Sequence, residues 1–139
     1  MAEDKDKSTY IQDLTTGSHL ILGKLLPEFA NNIITLTEDN LEVILTWERR
    51  QHYLERHYEM FWHENLLIET VLSPDIVQRN SKDKDIALFF KKIDEEHYLR
   101  ATILLNTAKE KDKKHSVLSY RIAGKMEVER GKLREVYRR

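Results

Sequence analysis

The stretch from Ile86 to Asn106, "IALFFKKIDEEHYLRATILLN", decides the fold. Two runs rich in branched and aromatic residues, 86–93 and 97–106, flank the acidic connection Asp94-Glu95-Glu96. Their period is extended rather than helical, and a short polar connection between two such runs predicts an antiparallel hairpin. Downstream, "SVLSYRI" (116–122) continues the pattern. Val117, Ser119 and Arg121 alternate there with Leu118, Tyr120 and Ile122, so a regular strand shows the two sets on opposite faces. Upstream, "DIVQR" (75–79) reads as a shorter strand, closed by the polar turn "NSKDKD". Residues 107–115 read as a charged loop, and the tail predicts a turn around Gly131 with a last strand over 133–137.

The first half of the chain changes period. "LEVILT" (41–46) predicts a strand, and a helix starts at Trp47 with Thr46 as N-cap and Glu48 near the positive end of the dipole. Stepping about 100° per residue puts Trp47, Leu54, Tyr58 and Phe61 in one apolar stripe, the expected core face. A second helix over 64–72 carries Leu67, Ile68, Val71 and Leu72 at helical spacing, and Pro74 stops it. Before these, "HLILGKLLPEF" (19–29) reads as a strand that breaks near Pro27, and 33–40 as a short extended or turn segment. Helices followed by a run of strands define an α+β protein, with two N-terminal-half helices packed on a mostly antiparallel sheet. The expected organisation is a disordered tail over 1–18 and one domain over 19–139.

Composition narrows the chemistry. The 139 residues hold 23 Lys and Arg against 24 Asp and Glu, a formal net charge of −1, so global charge does not advertise a nucleic-acid binder. Cysteine is absent, which removes disulfides, thiolate zinc sites and cysteine nucleophiles. No apolar run is long enough to span a membrane and no secretory signal opens the chain, so a cytoplasmic location is expected. Glycine-rich phosphate loops, nucleophile elbows and calcium loops are missing as well, and no cofactor is expected.

Chemistry concentrates in Trp47–Glu59, "WERRQHYLERHYE". His52 and His57 are five apart, about 140° round a straight helix, so they do not share a metal ion as two histidines four apart would. Arg49, His52 and Arg56 do converge, within about 60°, as a cationic stripe suited to a phosphate. His57 falls at the border of the apolar stripe. The plainer alternative is a solvated face on which Glu48, Glu55 and Glu59 neutralise the arginines. Lys91 ends a strand, and Ser119 beside Arg121 on one strand face would suit phosphate binding, unless the polar residues simply point to water. From Arg121 onward seven basic residues face three acids, the one marked charge bias of the chain.

The order of "EVILTWERRQHYLERH", a second helix, "SPDIV", "ALFFKK", "YLRATILLN" and "LSYRI" resembles the phage-type barnase–EndoU–colicin–RelE-like (BECR) nuclease family. The match covers roughly 41–137. It departs from the family pattern at Ser119, where Thr is usual, and at Tyr58, where Pro is common. The resemblance implies a metal-independent endoribonuclease or nuclease-like toxin domain of phage or mobile-element origin. In that chemistry a base takes the ribose 2'-hydroxyl proton, the oxygen attacks the adjacent phosphate, and an acid protonates the leaving 5'-oxygen. Carried over, His57 and His52 become acid and base, Arg56 and Arg49 hold phosphate, and Lys91 and Arg121 are transition-state cations. Ser119 and Tyr120 become hydrogen-bond donors, with Ser119 and Arg121 favoured over Tyr120 as the set facing the site. RNA is the implied partner, together with an immunity or other partner protein. The alternative is a non-catalytic interaction module of a phage or mobile element that binds a protein.

Overall fold

The computed structural model describes residues 15–16, 19–30, 33–34, 41–105 and 114–139. Eight strands form one sheet: β1 (Thr15–Thr16), β2 (His19–Lys24), β3 (Glu42–Thr46), β4 (Ile76–Arg79), β5 (Ile86–Lys92), β6 (His97–Leu104), β7 (His115–Gly124) and β8 (Glu135–Arg138). Their spatial order is β1-β2-β3-β7-β6-β5-β4-β8. Every pairing is antiparallel except β3 with β7, which is parallel and covers only Val43↔His115 and Ile44↔Ser116. Past Thr46 the chain leaves the sheet as a helix, so among the described residues no strand pairs with the rest of β7 on that edge.

The expected α+β architecture is observed. The hairpin over 86–106 is its centre: β5 pairs with β6 from Ile86↔Leu104 to Lys92↔Tyr98. Its turn is held by Asp94, whose Oδ1 accepts from the Glu96 amide at 2.8 Å and lies 2.9 Å from His97 Nδ1. That backbone donor, followed by the imidazole, holds the exposed Asp94 carboxyl below its ordinary value. Alternation sorts the hairpin cleanly. Phe89, Leu99, Ala101 and Ile103 are fully buried under one face, while Phe90 and Leu88 face the other.

Two helices cover the first face, α1 (Trp47–Arg56) and α2 (Glu64–Leu72). Leu67, Ile68 and Val71 of α2 enter the main core with Phe89, Leu99 and Tyr120. Thr46 caps α1 as expected, its Oγ1 accepting from the Arg49 amide at 3.2 Å. A short third helix, α3 (Lys125–Arg130), covers the second face, where Val128 packs with Ile76, Leu88, Phe90 and Ala123. The sequence reading placed no helix there. Residues 15–16, assigned to the tail, pair with β2 instead (Thr15↔Leu20, Thr16↔His19). Residues 1–14, 35–40 and 106–113, which include the expected N-terminal disorder and most of the charged loop, lie outside the described residues.

Two bulges bend the sheet. In β2, Leu22 is the extra residue between Ile21↔Ile44 and Gly23↔Val43, and Gly23 adopts φ 145°, a region that L side chains avoid. In β7, Leu118 is extra between Val117↔Ile103 and Ser119↔Thr102. Regular alternation therefore fails at Leu118, and Val117 and Tyr120 are both buried in the main core.

Candidate functional site

The site is built on α1, and the direction in which that helix faces is its first surprise. The expected core stripe of Trp47, Leu54, Tyr58 and Phe61 does not form. The α-helix ends at Arg56, His57 departs from it at φ −134° and ψ 55°, and Tyr58–His63 follow as a 3-10 turn. Tyr58 is 72% exposed and Phe61 41%. The buried residue of α1 is Arg50, flanked by Trp47 and Tyr53, so the inward direction lies about 50° round from the apolar stripe.

Arg50 enters the core because Glu64 meets it there. Its Nε and a terminal nitrogen donate to the two Glu64 carboxylate oxygens at 2.7 and 2.8 Å, a two-pronged pair shielded from water on both sides. The bond to Glu64 raises the Arg50 pKa. The Tyr120 hydroxyl donates to the same carboxylate at 3.3 Å, and the Trp47 ring lies 5.2 Å from the guanidinium carbon. This cluster joins α1, α2 and β7 at one point. Above it three rings follow one another: Tyr53 stacks on Tyr120 at 4.5 Å between centroids, and His57 leans on Tyr53 at 4.9 Å, tilted by 35°. The Tyr53 hydroxyl is buried with no hydrogen-bond partner among the described residues. Burial lifts the phenols of Tyr53 and Tyr120 above their ordinary range, and Glu59 and Glu64 respectively add to the effect.

Over this stack lies an open cleft of about 380 Å³ walled by Thr46, Glu48, Arg49, His52, Tyr53, Arg56 and His57 of α1 and its caps, with Leu118 of β7 opposite. The early helix end is what brings His57 in. On a continued helix the two imidazoles would diverge, whereas the break lets both line one cleft. His57 Nδ1 lies 3.8 Å from Glu59 Oε2. Arg49 donates to the Leu118 carbonyl at 3.2 Å, a group made available by the bulge. Arg50 is taken by Glu64, and neither Arg49 nor Arg56 makes an ion pair with a carboxylate among the described residues, while Arg49, His52, Arg56 and His57 all stay exposed, as on a solvated face. Two guanidinium groups and two imidazoles facing one cleft can bind an anion and exchange protons with it.

The remaining sequence candidates go elsewhere. Lys91 shares the helix-covered face, but its Nζ donates to the Ser73 carbonyl at 2.8 Å and lies 3.9 Å from Asp75, at the far end of α2. Ser119 and Arg121 do share a face as expected, yet it is the α3 face. Arg121 is held there by Glu127 at 2.9 Å, beside Arg100, which reaches the same carboxylate at 2.7 Å. Tyr120 is the member of this strand that lies beneath α1, so the preference for Ser119 with Arg121 is reversed. The basic C-terminal run is also largely engaged: Arg138 with Glu135, Arg139 with Asp75 and Ser73, and Arg134 with the Arg79 carbonyl.

Sequence reasoning missed Tyr53, Arg50 and Glu64. A signal for the pair was present: Arg50 lies in line with Trp47 and Tyr53 on α1, and Glu64 in line with Leu67, Ile68 and Val71 on α2. Opposite charges that interrupt two apolar stripes point to each other. Among the described residues no three His, Asp or Glu side chains gather as metal ligands, and no helix is long and apolar enough to cross a membrane. Comparison with protein-family models, curated proteins and solved structures returned no match.

Proposed function

We propose that the α1 cleft binds a phosphodiester of RNA and cleaves it through the ribose 2'-oxygen, the chemistry implied by the resemblance to the BECR nucleases. One observation carries the reading: His52 and His57 line the same cleft as Arg49 and Arg56, which make no ion pair with a carboxylate among the described residues, Glu48 being the one acid in the wall. One imidazole removes the 2'-hydroxyl proton, the 2'-oxygen attacks phosphorus, and the other imidazole protonates the departing 5'-oxygen, leaving a cyclic phosphate. Arg49 and Arg56 offset the charge that accumulates on the phosphorane oxygens. Lys91 and Arg121 have no part in this scheme, because Ser73 and Glu127 hold them, and Ser119 has none because it shares the strand face of Arg121. Tyr53 serves as the floor on which the His57 ring lies. The experiment is cleavage of single-stranded and structured RNA in EDTA by the wild type, His57→Ala and His52→Ala. Loss of at least 100-fold in each variant, with unchanged circular dichroism, is the expected result. Equal cleavage by wild type and His57→Ala sinks the assignment.

A second reading, docking of a partner protein, is favoured by the exposed aromatic row Tyr58, Phe61 and Trp62 beside the cleft. It predicts no cleavage of any RNA and a stable complex that Trp62→Ala weakens.

A further inference from the structure

Beyond the cleft, the 3-10 turn Tyr58–His63 presents side chains with no structural duty. Met60 is buried and anchors the turn. Tyr58, Phe61 and Trp62 are 72%, 41% and 78% exposed. Tryptophan is rarely left so open, because its indole is the largest apolar surface a side chain can bury. Phe61 meets the Trp62 ring edge-on at 5.3 Å and 82°, which braces the indole while leaving it open to solvent.

The turn places this ring relative to the imidazoles. Side chains three apart on a 3-10 turn eclipse one another, so Trp62 shares a face with Glu59. Glu59 is the residue whose carboxylate lies 3.8 Å from His57 Nδ1. Trp62 therefore stands one turn, about 6 Å along the axis, beyond the neighbour of His57. Flat π-surface near guanidinium groups, here Arg56 and Arg49, is the composition with which proteins hold single-stranded nucleic acid: the cations take phosphates and the rings take bases, whatever their sequence. The other exposed large apolar residues, Leu26, Leu72, Ile93, Met126 and Leu133, belong to other segments. The row is thus aromatic throughout and flanked by the charged Glu55, Arg56 and Glu59.

We propose that Trp62 is a base-stacking subsite continuous with the α1 cleft, so that single-stranded RNA lays a phosphate on Arg49 and Arg56 and a neighbouring base on the indole. This rests on the reading of the cleft as an RNA site and narrows it to unpaired RNA, since a base inside a duplex has no free face to offer. The probe is a short single-stranded 2'-O-methyl oligonucleotide of mixed sequence, which binds without being cleaved, compared with an abasic strand of equal length and with a duplex.

The wild type is expected to bind the mixed single strand more tightly than the other two, with quenching of Trp62 fluorescence. Trp62→Ala, checked for an unchanged fold by circular dichroism, weakens that binding by about 5- to 150-fold. It leaves affinity for the abasic strand unchanged, and Trp62→Phe recovers most of the loss. Trp62→Ala binding as tightly as wild type, or a duplex binding as well as the single strand, overturns the subsite. RNA cleavage that still depends on His57 then leaves the cleft reading standing. Trp62-dependent binding with His57-independent cleavage supports the subsite and removes the catalytic assignment. No binding of any oligonucleotide overturns both in favour of protein docking.

Discussion

The Arg50–Glu64 pair offers the sharpest test of how this fold is held. Glu64→Gln keeps the shape and removes the charge. The two-pronged contact at 2.7 and 2.8 Å then keeps at most one acceptor, and the glutamine amide turns a donor toward the guanidinium donors. Arg50 is left charged and 8% exposed, and breaking a buried pair in this way costs about 3–5 kcal/mol. With an unfolding entropy of about 2.1 cal/mol/K per residue, a chain of 139 residues loses about 1 °C of Tm per 0.3 kcal/mol, so the drop is about 10–17 °C. Removing both charges should behave differently. Arg50→Met with Glu64→Leu abolishes the desolvation of both ions, but it strands the Tyr120 hydroxyl, which donates to Glu64 at 3.3 Å. Adding Tyr120→Phe clears that group too, and the triple variant should equal or exceed wild-type stability. Urea denaturation followed by circular dichroism reads these differences as shifts in midpoint at constant slope. A Glu64→Gln variant within about 0.5 kcal/mol of wild type refutes the buried-pair argument, since that is the size of a solvent-screened contact. A triple variant as unstable as the single one refutes the desolvation argument.

Other consequences follow from the same geometry. Gly23→Ala should lose about 1–3 kcal/mol in urea denaturation, because φ 145° is strained for alanine and the new Cβ would stand 2.6 Å from Leu72 Cδ2. Thr46→Ala removes the N-cap of α1 and should cost about 1 kcal/mol by the same assay. Tyr53 and Tyr120 have folded pKa values above the ordinary 10.0, so their contribution to stability is complete below pH 10 and is lost as pH rises beyond it. Stability measured against pH should therefore be flat in this respect up to about pH 10 and fall above it, with Tyr120→Phe reducing the fall. If the cleft is the RNA site, Arg56→Ala should lower kcat/KM for RNA by about 100-fold, and Lys91→Ala should leave it within about twofold.

What could be read from sequence and what could not divides along physical lines. Strands announce themselves by alternation and helices by caps and stops, so the 86–106 hairpin, the Thr46 cap and the Pro74 stop were all legible. The cationic stripe of Arg49, His52 and Arg56 was legible too, because it depends only on the angle between neighbours on one helix. Hydropathy failed where a charge goes inward. Arg50 is counted as a surface residue until its partner, 14 residues away, is known, and the true inward face of α1 was missed with it. The β7 bulge carries no glycine or proline to mark it, so regular alternation put Tyr120 and Val117 on opposite faces. At six residues, α3 is too short for a periodicity reading, although Gly124 and Gly131 bracket it. Lys91 and Arg121 illustrate a different limit. Residue type says that a cation can meet a phosphate, but only the fold says that Ser73 and Glu127 have already taken these two.

Three departures from regular structure therefore meet beneath a single cleft. A charge pair is buried where apolar residues would pack more cheaply. A strand bulges at Leu118 so that its carbonyl meets Arg49. A helix stops at Arg56 so that His57 swings over Tyr53. Each is unfavourable by local rules, and sequences that specify a fold consistently break such rules mainly where a site demands it. The three are also coupled. Glu64 opens α2 immediately after the 3-10 turn, so its grip on Arg50 sets how closely that turn follows α1. With Arg50 held inward, Arg49 and Arg56 are the cations of α1 left to face β7. The buried pair thus does more than hold two helices together: it selects which arginines of α1 the cleft receives.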